Sequence, residues 1–228
     1  MKLKNKIIQI SCDGGAATGK STGAEMVAKK YKLKFLSSGL LYRYASFLLI
    51  NHKHKNKMNF LRNKFNRLDY QKLYKINLHT PEISKQSAII AKISKIREIL
   101  KIFQTKFAKK YKNCCIEGRD ISTKILPNSD VKFFFKCNLN TAALRRYKEL
   151  KKKNKINLKD VKKALRIRNN HDIKRKNSPL LKHGDAIEID TGKLNKQAML
   201  SKMSKYVDIV IKKKYGNWTR IKKYKPIT

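Results

Sequence analysis

The run Gly14-Gly15-Ala16-Ala17-Thr18-Gly19-Lys20-Ser21 satisfies G-x-x-x-x-G-K-[S/T] at every position, and no other stretch limits the possible folds as tightly. The pattern carries meaning only between a buried strand and a helix. Ile7, Ile8 and Ile10 predict a strand over Lys6 to Cys12, and Lys20 to Tyr31 has helical spacing with Met26 and Val27 on one face. Small residues let the backbone wrap a phosphate with its N–H groups turned inward. A helix opening near Gly19 points the positive end of its dipole at the same anion. Lys20 is expected to face solvent and neutralise β and γ oxygens, and Ser21 to offer its hydroxyl to Mg²⁺. Gly14 to Gly19, with Lys20, Ser21 and Thr22, are therefore the candidate contacts of a nucleoside triphosphate.

Beyond this loop, strands and helices alternate. Further strands are predicted at Leu33 to Leu36, Cys114 to Glu117, Val131 to Cys137 and Ala186 to Asp190. The row Phe133, Phe134 and Phe135 suits a strand buried on both faces. Ser37-Ser38-Gly39 caps a helix running to about Asn51, and Pro81 opens another through about Ile93. Ile96, Ile99, Leu100 and Phe103 mark a third, Thr141 to Lys176 is long, basic and helical with a turn near Asn154 to Asn157, and Lys193 to about Lys214 is the last. His52 to His79 reads as basic, irregular and poor in apolar residues, an inserted or mobile segment. Alternation of this kind implies right-handed crossovers and a parallel sheet. The expected architecture is one α/β domain with five parallel strands flanked by helices. Its core covers residues 6–43, 81–140 and 184–214, with an inserted lobe at about 44–80, a basic helical lid at about 141–176 and a loosely docked basic tail at 215–228.

Composition narrows the setting more than the activity. The chain of 228 residues is 41% hydrophobic, enough for a folded core, and no apolar run approaches the roughly 20 residues that cross a bilayer. Residues 1–10 run straight into the glycine-rich loop without a small-residue cleavage site, so no signal peptide is expected. Cys12, Cys114, Cys115 and Cys137 fit no zinc spacing and read as core residues in a reducing cytoplasm. Fifty-seven Lys and Arg against 15 Asp and Glu give a formal net charge of +42. These cations are spread along the whole chain, as a lysine-rich background would produce, so no specific nucleic acid and no membrane partner is expected.

A second anion site is predicted opposite the loop. Ser37-Ser38-Gly39-Leu40-Leu41-Tyr42-Arg43 follows the second strand, Gly118-Arg119-Asp120 ends the third, and Arg168, Asp172 and Arg175 fall at i, i+4 and i+7 on one helix face. Ligands of a doubly wound sheet bind at the carboxyl ends of its strands. Three segments thus deliver arginines to one crevice, as bringing two phosphate-bearing molecules together requires.

With these pieces on the page, the chain resembles the bacterial cytidylate kinases (CMP kinases), P-loop nucleoside monophosphate kinases. The resemblance rests on Asp13-Gly14 with the loop, Ser38-Gly39-x-x-Tyr42-Arg43, Ile96-Arg97-Glu98, Gly118-Arg119-Asp120-Ile121, Arg145-Arg146, Arg168-x-x-x-Asp172-x-x-Arg175, Ser178-Pro179-Leu180 and Asp190-Thr191, in family order across most of residues 6–211. It implies a P-loop kinase fold and transfer of the γ-phosphoryl group of ATP, bound with Mg²⁺, to CMP or dCMP. It implies that Arg43, Arg119 and Arg175 hold the acceptor phosphate, Arg168 and Asp172 the ribose, and Arg97 and Asp120 the base, with Ser38, Tyr42 and Gly118 around them. Lys20, Arg119, Arg168 and Arg175 would surround the transferred group, and Arg145 and Arg146 would close over the triphosphate. The chain departs from the family in three places: Ala88 beside Ser87 where a base-contacting serine is usual, a shorter lobe between Arg43 and Ala88, and Ser122 where a glycine is usual.

Two other readings share the loop: another small-molecule P-loop kinase, and a basic P-loop ATPase acting on nucleic acid. The ordered arginines and the lack of further motor motifs favour the kinase, expected as a monomer. Its lid arginines are expected to face water and repel one another until both nucleotides bind.

Overall fold

In a computed structural model, residues 6–151 and 156–216 are described. Five parallel strands stand in the order β2-β3-β1-β4-β5. They are β1 (Gln9–Gly14), β2 (Lys34–Ser37), β3 (Cys114–Gly118), β4 (Val131–Lys136) and β5 (Ile187–Asp190). The strand before the loop thus starts three residues later than its isoleucines suggest. Ile8 is buried all the same, its backbone bonded to Asn113 and Cys114 rather than to a regular ladder.

Side chains alternate across the sheet and divide the interior in two. Ile10, Cys12, Cys115, Phe133 and Phe135 point to one face. There they meet α1 (Lys20–Tyr31) and α8 (Lys196–Tyr215) through Val27, Met203 and Val207. Tyr31 fastens the two helices by donating its hydroxyl proton to Asp208 Oδ1 at 2.7 Å. Leu36, Cys114 and Ile116 point to the other face and meet α2 (Ser38–Asn51), α4 (Pro81–Ile90) and α5 (Ser94–Lys110).

Two glycines of the loop are required by geometry. A Cβ on Gly14 would lie 2.4 Å from the carbonyl oxygen of Phe135, so only glycine lets β4 approach β1. Gly19 caps α1 in the left-handed region at φ 77°, which glycine adopts without a steric penalty.

Residues 52–79 differ from the expectation of an irregular segment. They hold α3 (Lys57–Asn66) and a 3₁₀ turn at Tyr70–Lys75. Leu61, Phe65, Tyr70, Leu73 and Leu78 join the core formed by α2 and α5. The apolar residues do have helical spacing, but Lys, Asn and Arg between them dilute the local pattern. Packing against α2 and α5 supplies what local propensity lacks.

The basic stretch forms α6 (Leu139–Lys151) and α7 (Leu158–Lys174). Its expected turn falls partly outside the described residues, as does most of the tail. Tyr215, the first residue assigned to that tail, is docked: its hydroxyl accepts from Ile7 N at 2.7 Å and donates to Ile7 O at 2.6 Å. No helix among the described residues is long and apolar enough to cross a membrane.

A core role for the inserted lobe has a measurable consequence. Leu61 is fully buried, so Leu61→Ala should lower the unfolding free energy by about 2–5 kcal/mol. Urea denaturation followed by circular dichroism checks this; an unchanged midpoint would return the segment to an irregular, weakly packed state.

Candidate functional site

All five strands run the same way, so their carboxyl ends open on one crevice of about 1350 Å³. The glycine-rich loop forms its floor. Ser38, Tyr42 and Arg43 enter from the first turns of α2, Arg97 from α5, and Gly118, Arg119 and Asp120 from the end of β3. Arg145, Arg168, Asp172 and Arg175 come from the lid. Of the residues expected to contact the two nucleotides, all line this crevice except Gly14, which lies beneath it against Phe135, whereas the motif residues Asp13, Ile96, Glu98, Ile121, Ser178, Pro179, Leu180 and Asp190 stand outside its lining.

Lys20 corrects the expectation of a solvent-facing charge. It is 5% exposed and ion-paired with Glu117, which is 3% exposed. The register explains the pairing. Cys12 stands opposite Glu117 in the β1–β3 ladder and Ser37 opposite Glu117 in the β2–β3 ladder. Glu117 therefore sits between the loop and β2, and Ser37 Oγ donates to its Oε1 at 2.5 Å. Burial pushes the Glu117 carboxyl up, but Lys20, with the Ser37 hydroxyl and Arg119, outweighs this and holds it below the usual range. Sequence reasoning missed Glu117, although a lone carboxylate in the apolar run Cys114-Cys115-Ile116 was a visible signal.

Asp13 was also missed as a site-building residue. Its buried carboxylate accepts from Ile121 N at 2.8 Å, Ser122 N at 2.7 Å and Ser122 Oγ at 2.6 Å. Burial raises its pKa against these bonds. The three bonds fix the turn that follows Arg119 and Asp120 to the strand that carries the loop. Ser122 adds its own hydroxyl to that anchor.

The acceptor side is a lattice of arginines and two aspartates. Arg97 donates to Asp120 Oδ2 at 2.5 Å, and Arg175 stands 3.8 Å from Asp120 Oδ1. Arg119 Nε donates to Asp172 Oδ2 at 2.9 Å, and Arg175 contacts Asp172 Oδ1 at 3.4 Å. Burial pushes the Asp172 carboxyl up, but Arg119 and Arg168 outweigh it and hold the group low. Arg168 is pushed down to about 10 by burial and by the charges of Arg119, Arg43 and Arg146. Arg43 Nε is buried with no hydrogen-bond acceptor among the described residues.

The lid also differs from expectation. Arg168 and Asp172 point into the crevice, not to bulk water, and Arg175 lies at the C-cap of α7 rather than on its face. Arg175 Nε donates to Ser178 O at 2.5 Å, in a turn where Ser178 has φ 55°. Arg145 reaches back to Thr191, donating to its Oγ1 at 2.9 Å and its carbonyl at 2.7 Å. Thr191 Oγ1 in turn donates to Thr18 O at 2.7 Å, so Arg145 is tied to the donor loop. Arg146 pairs with the exposed Glu149. Beside the crevice wall, Ser87 spends its hydroxyl on Ser84 O, and Ala88 offers only a methyl group.

The cytidylate kinase family model matches residues 10–209 of the chain. The cytidylate kinase of Bartonella tribocorum is 35% identical over 209 residues, covering 89% of this chain and 95% of the relative. That of Clostridium tetani is 34% identical over 225 residues, covering 93% and 99%. Among solved structures, an uncharacterized protein from Eubacterium ventriosum superposes with a TM-score of 0.52 at 17% identity, covering 90% of this chain and 99% of that one, a likeness of fold.

The buried Lys20–Glu117 pair gives two expected outcomes. Lys20→Ala leaves a buried carboxylate with Ser37 as its remaining bond, and should lower the unfolding free energy by about 3–5 kcal/mol. The double variant Lys20→Ala with Glu117→Ala should recover part of that loss in urea denaturation at neutral pH. The folded-state pKa of Glu117 lies below its unfolded value. Its stabilisation is therefore full above about pH 5 and lost as pH falls through the depressed folded value. Glu117→Gln should flatten that acid limb; an identical limb in both proteins would show that Glu117 carries none of it.

Proposed function

The chain belongs to the cytidylate kinase family, and on that premise we propose that it transfers the γ-phosphoryl group of ATP to CMP or dCMP, giving CDP or dCDP. The observation that carries the site assignment is the opposition, across one crevice, of a phosphate-binding loop and Arg43, Arg119, Arg168 and Arg175. These guanidiniums outnumber the carboxylates beside them, and burial together with the charges of neighbouring guanidiniums holds Arg43, Arg168 and Arg175 below the usual arginine range. An anion between them relieves the repulsion among those charges.

In this reading Gly15 to Thr22, with Lys20 at the floor and Arg145 above, hold ATP. Arg43, Arg119 and Arg175 hold the acceptor phosphate, Arg168 and Asp172 the ribose, and Arg97 with Asp120 the base, with Ser38, Tyr42 and Gly118 as surrounding wall. Arg97 stands 5.9 Å above the Tyr42 ring, a flat surface beside the base-reading pair. Cytosine presents an amino donor and two ring acceptors. A carboxylate accepts from the first and a guanidinium donates to the second, whereas uracil would turn a carbonyl oxygen toward Asp120. The acceptor phosphate is already an anion, so the protein's contribution is alignment and charge neutralisation rather than proton removal.

The donor set suits a magnesium ion delivered with ATP. No group of three His, Cys, Asp or Glu that could hold a metal occurs among the described residues. The exposed Ser21 hydroxyl at the start of α1 is an oxygen of the kind that completes a shell made mostly of phosphate and water. Bound there, magnesium would neutralise charge on the phosphate oxygens. We assign residues 44–80 to the acceptor lobe and 141–176 to the lid, and place the enzyme in the cytoplasm as a monomer.

An ADP-release assay with each nucleoside monophosphate tests the assignment. CMP and dCMP should be used best, UMP less, and AMP and GMP hardly at all; AMP as best acceptor would overturn it. Arg175→Ala should lose transfer to CMP more than it loses ATP binding measured by calorimetry.

A further inference from the structure

Apart from the chain Arg145–Thr191–Thr18 that starts on α6, a direct hydrogen bond joins α7 to the backbone of the donor loop. Asn169 on α7 accepts a hydrogen bond from the backbone N–H of Ala16 at 3.0 Å through its Oδ1. The Ala16 methyl is buried in a small apolar cluster with Ala142 and Ala143 of α6 and Val161 and Leu165 of α7. Ala16 is therefore gripped twice, by its amide and by its methyl, and both grips come from the lid. On the loop side, a Cβ added to Gly15 would lie 3.3 Å from Asn169 Oδ1 and 3.5 Å from its Nδ2. The carboxamide thus lies directly over the loop backbone.

The position of Asn169 gives the contact its consequence. Arg168 precedes it in the chain, and Asp172, which holds Arg119, follows within one helical turn. Fixing Asn169 on Ala16 fixes how far these two side chains stand from the loop that grips the donor phosphates. A misplacement of about 1 Å between reacting groups can lower a rate by about a hundredfold. The ion pairs of Arg119 with Asp172 and of Arg175 with Asp120 hold α7 to the end of β3, and neither of them touches the donor loop.

We propose that Asn169 is a positioning residue: it clasps α7 to the donor loop through the Ala16 amide and sets the spacing between acceptor and donor phosphates. The inference rests on the phosphoryl-transfer reading above and adds to it a residue that touches neither reacting group. Its chemistry demands only an acceptor oxygen at that place. Aspartate supplies one; alanine and leucine do not.

The test compares Asn169→Ala, Asn169→Leu and Asn169→Asp with the wild-type chain in steady-state CMP phosphorylation, with thermal melting as a control for folding. Alanine and leucine should lower kcat by about tenfold or more and change the KM for CMP by less than about threefold, because the acceptor contacts stay in place. Aspartate should restore kcat to within about threefold of wild type. Amide exchange followed by mass spectrometry should show faster exchange at Ala16 in the alanine variant and protection retained in the aspartate variant. A wild-type kcat in Asn169→Ala overturns the clasp, and so does an Asn169→Asp variant as slow as the alanine. A loss confined to the KM for CMP also overturns it, since that would make Asn169 an acceptor contact. Wild-type protein inactive on every nucleoside monophosphate would instead strike the transfer reading itself, so the two failures are distinguishable.

Discussion

The crevice depends first on one carboxylate. Glu117 stands next to last in β3, with β2 on one side and the β1–loop–α1 unit on the other. It accepts a hydrogen bond from the Ser37 hydroxyl and forms an ion pair with Lys20, both nearly shielded from solvent. A carboxylate in such a place is tolerable only when paired and hydrogen-bonded. Both requirements are met by residues from different segments, so the charge that threatens the core also aligns β2, β3 and the phosphate loop. Lys20 is thereby held at the crevice floor, where a flexible lysine in water would otherwise sample many positions.

The remaining electrostatics extend this arrangement upward. Asp120 and Asp172 are each shared between two arginines, one of them Arg175 in both cases. Shared carboxylates hold the guanidiniums in a fixed geometry while leaving the cluster with excess positive charge. A site built this way has its charge in place before the substrate arrives, which spares the reaction the work of reorganising water. The lid completes it with a small apolar core of its own, which the loop joins through the buried Ala16 and the partly buried Ala17. That core is small and is built largely on alanines.

The legible parts of the sequence were those in which neighbouring residues carry the whole signal. The loop pattern, the apolar strands and the order of the arginine motifs are local, and each strand and most helices fall within a few residues of where periodicity puts them. Residues 52–79 were misjudged because their helix is stabilised by packing, with Leu61 and Phe65 inserted beneath α2 and α5 amid a run of Lys and Asn. Lys20 and the lid arginines were set in water because a chain with 57 Lys and Arg offers no local reason to bury any particular one.

By itself, then, the sequence determined a parallel α/β sheet with a phosphate loop at its carboxyl edge and a set of arginines in the order of one enzyme family. Those features follow from spacing along the chain. Tertiary structure alone decided that Glu117 meets Lys20, that Asp13 anchors the turn after Arg119, and that Asn169 reaches Ala16 from 153 residues away. Each of these joins residues far apart in sequence, and their pairing depends on strand order and register. Burial then makes each polar group demand a partner that only the folded chain brings within reach.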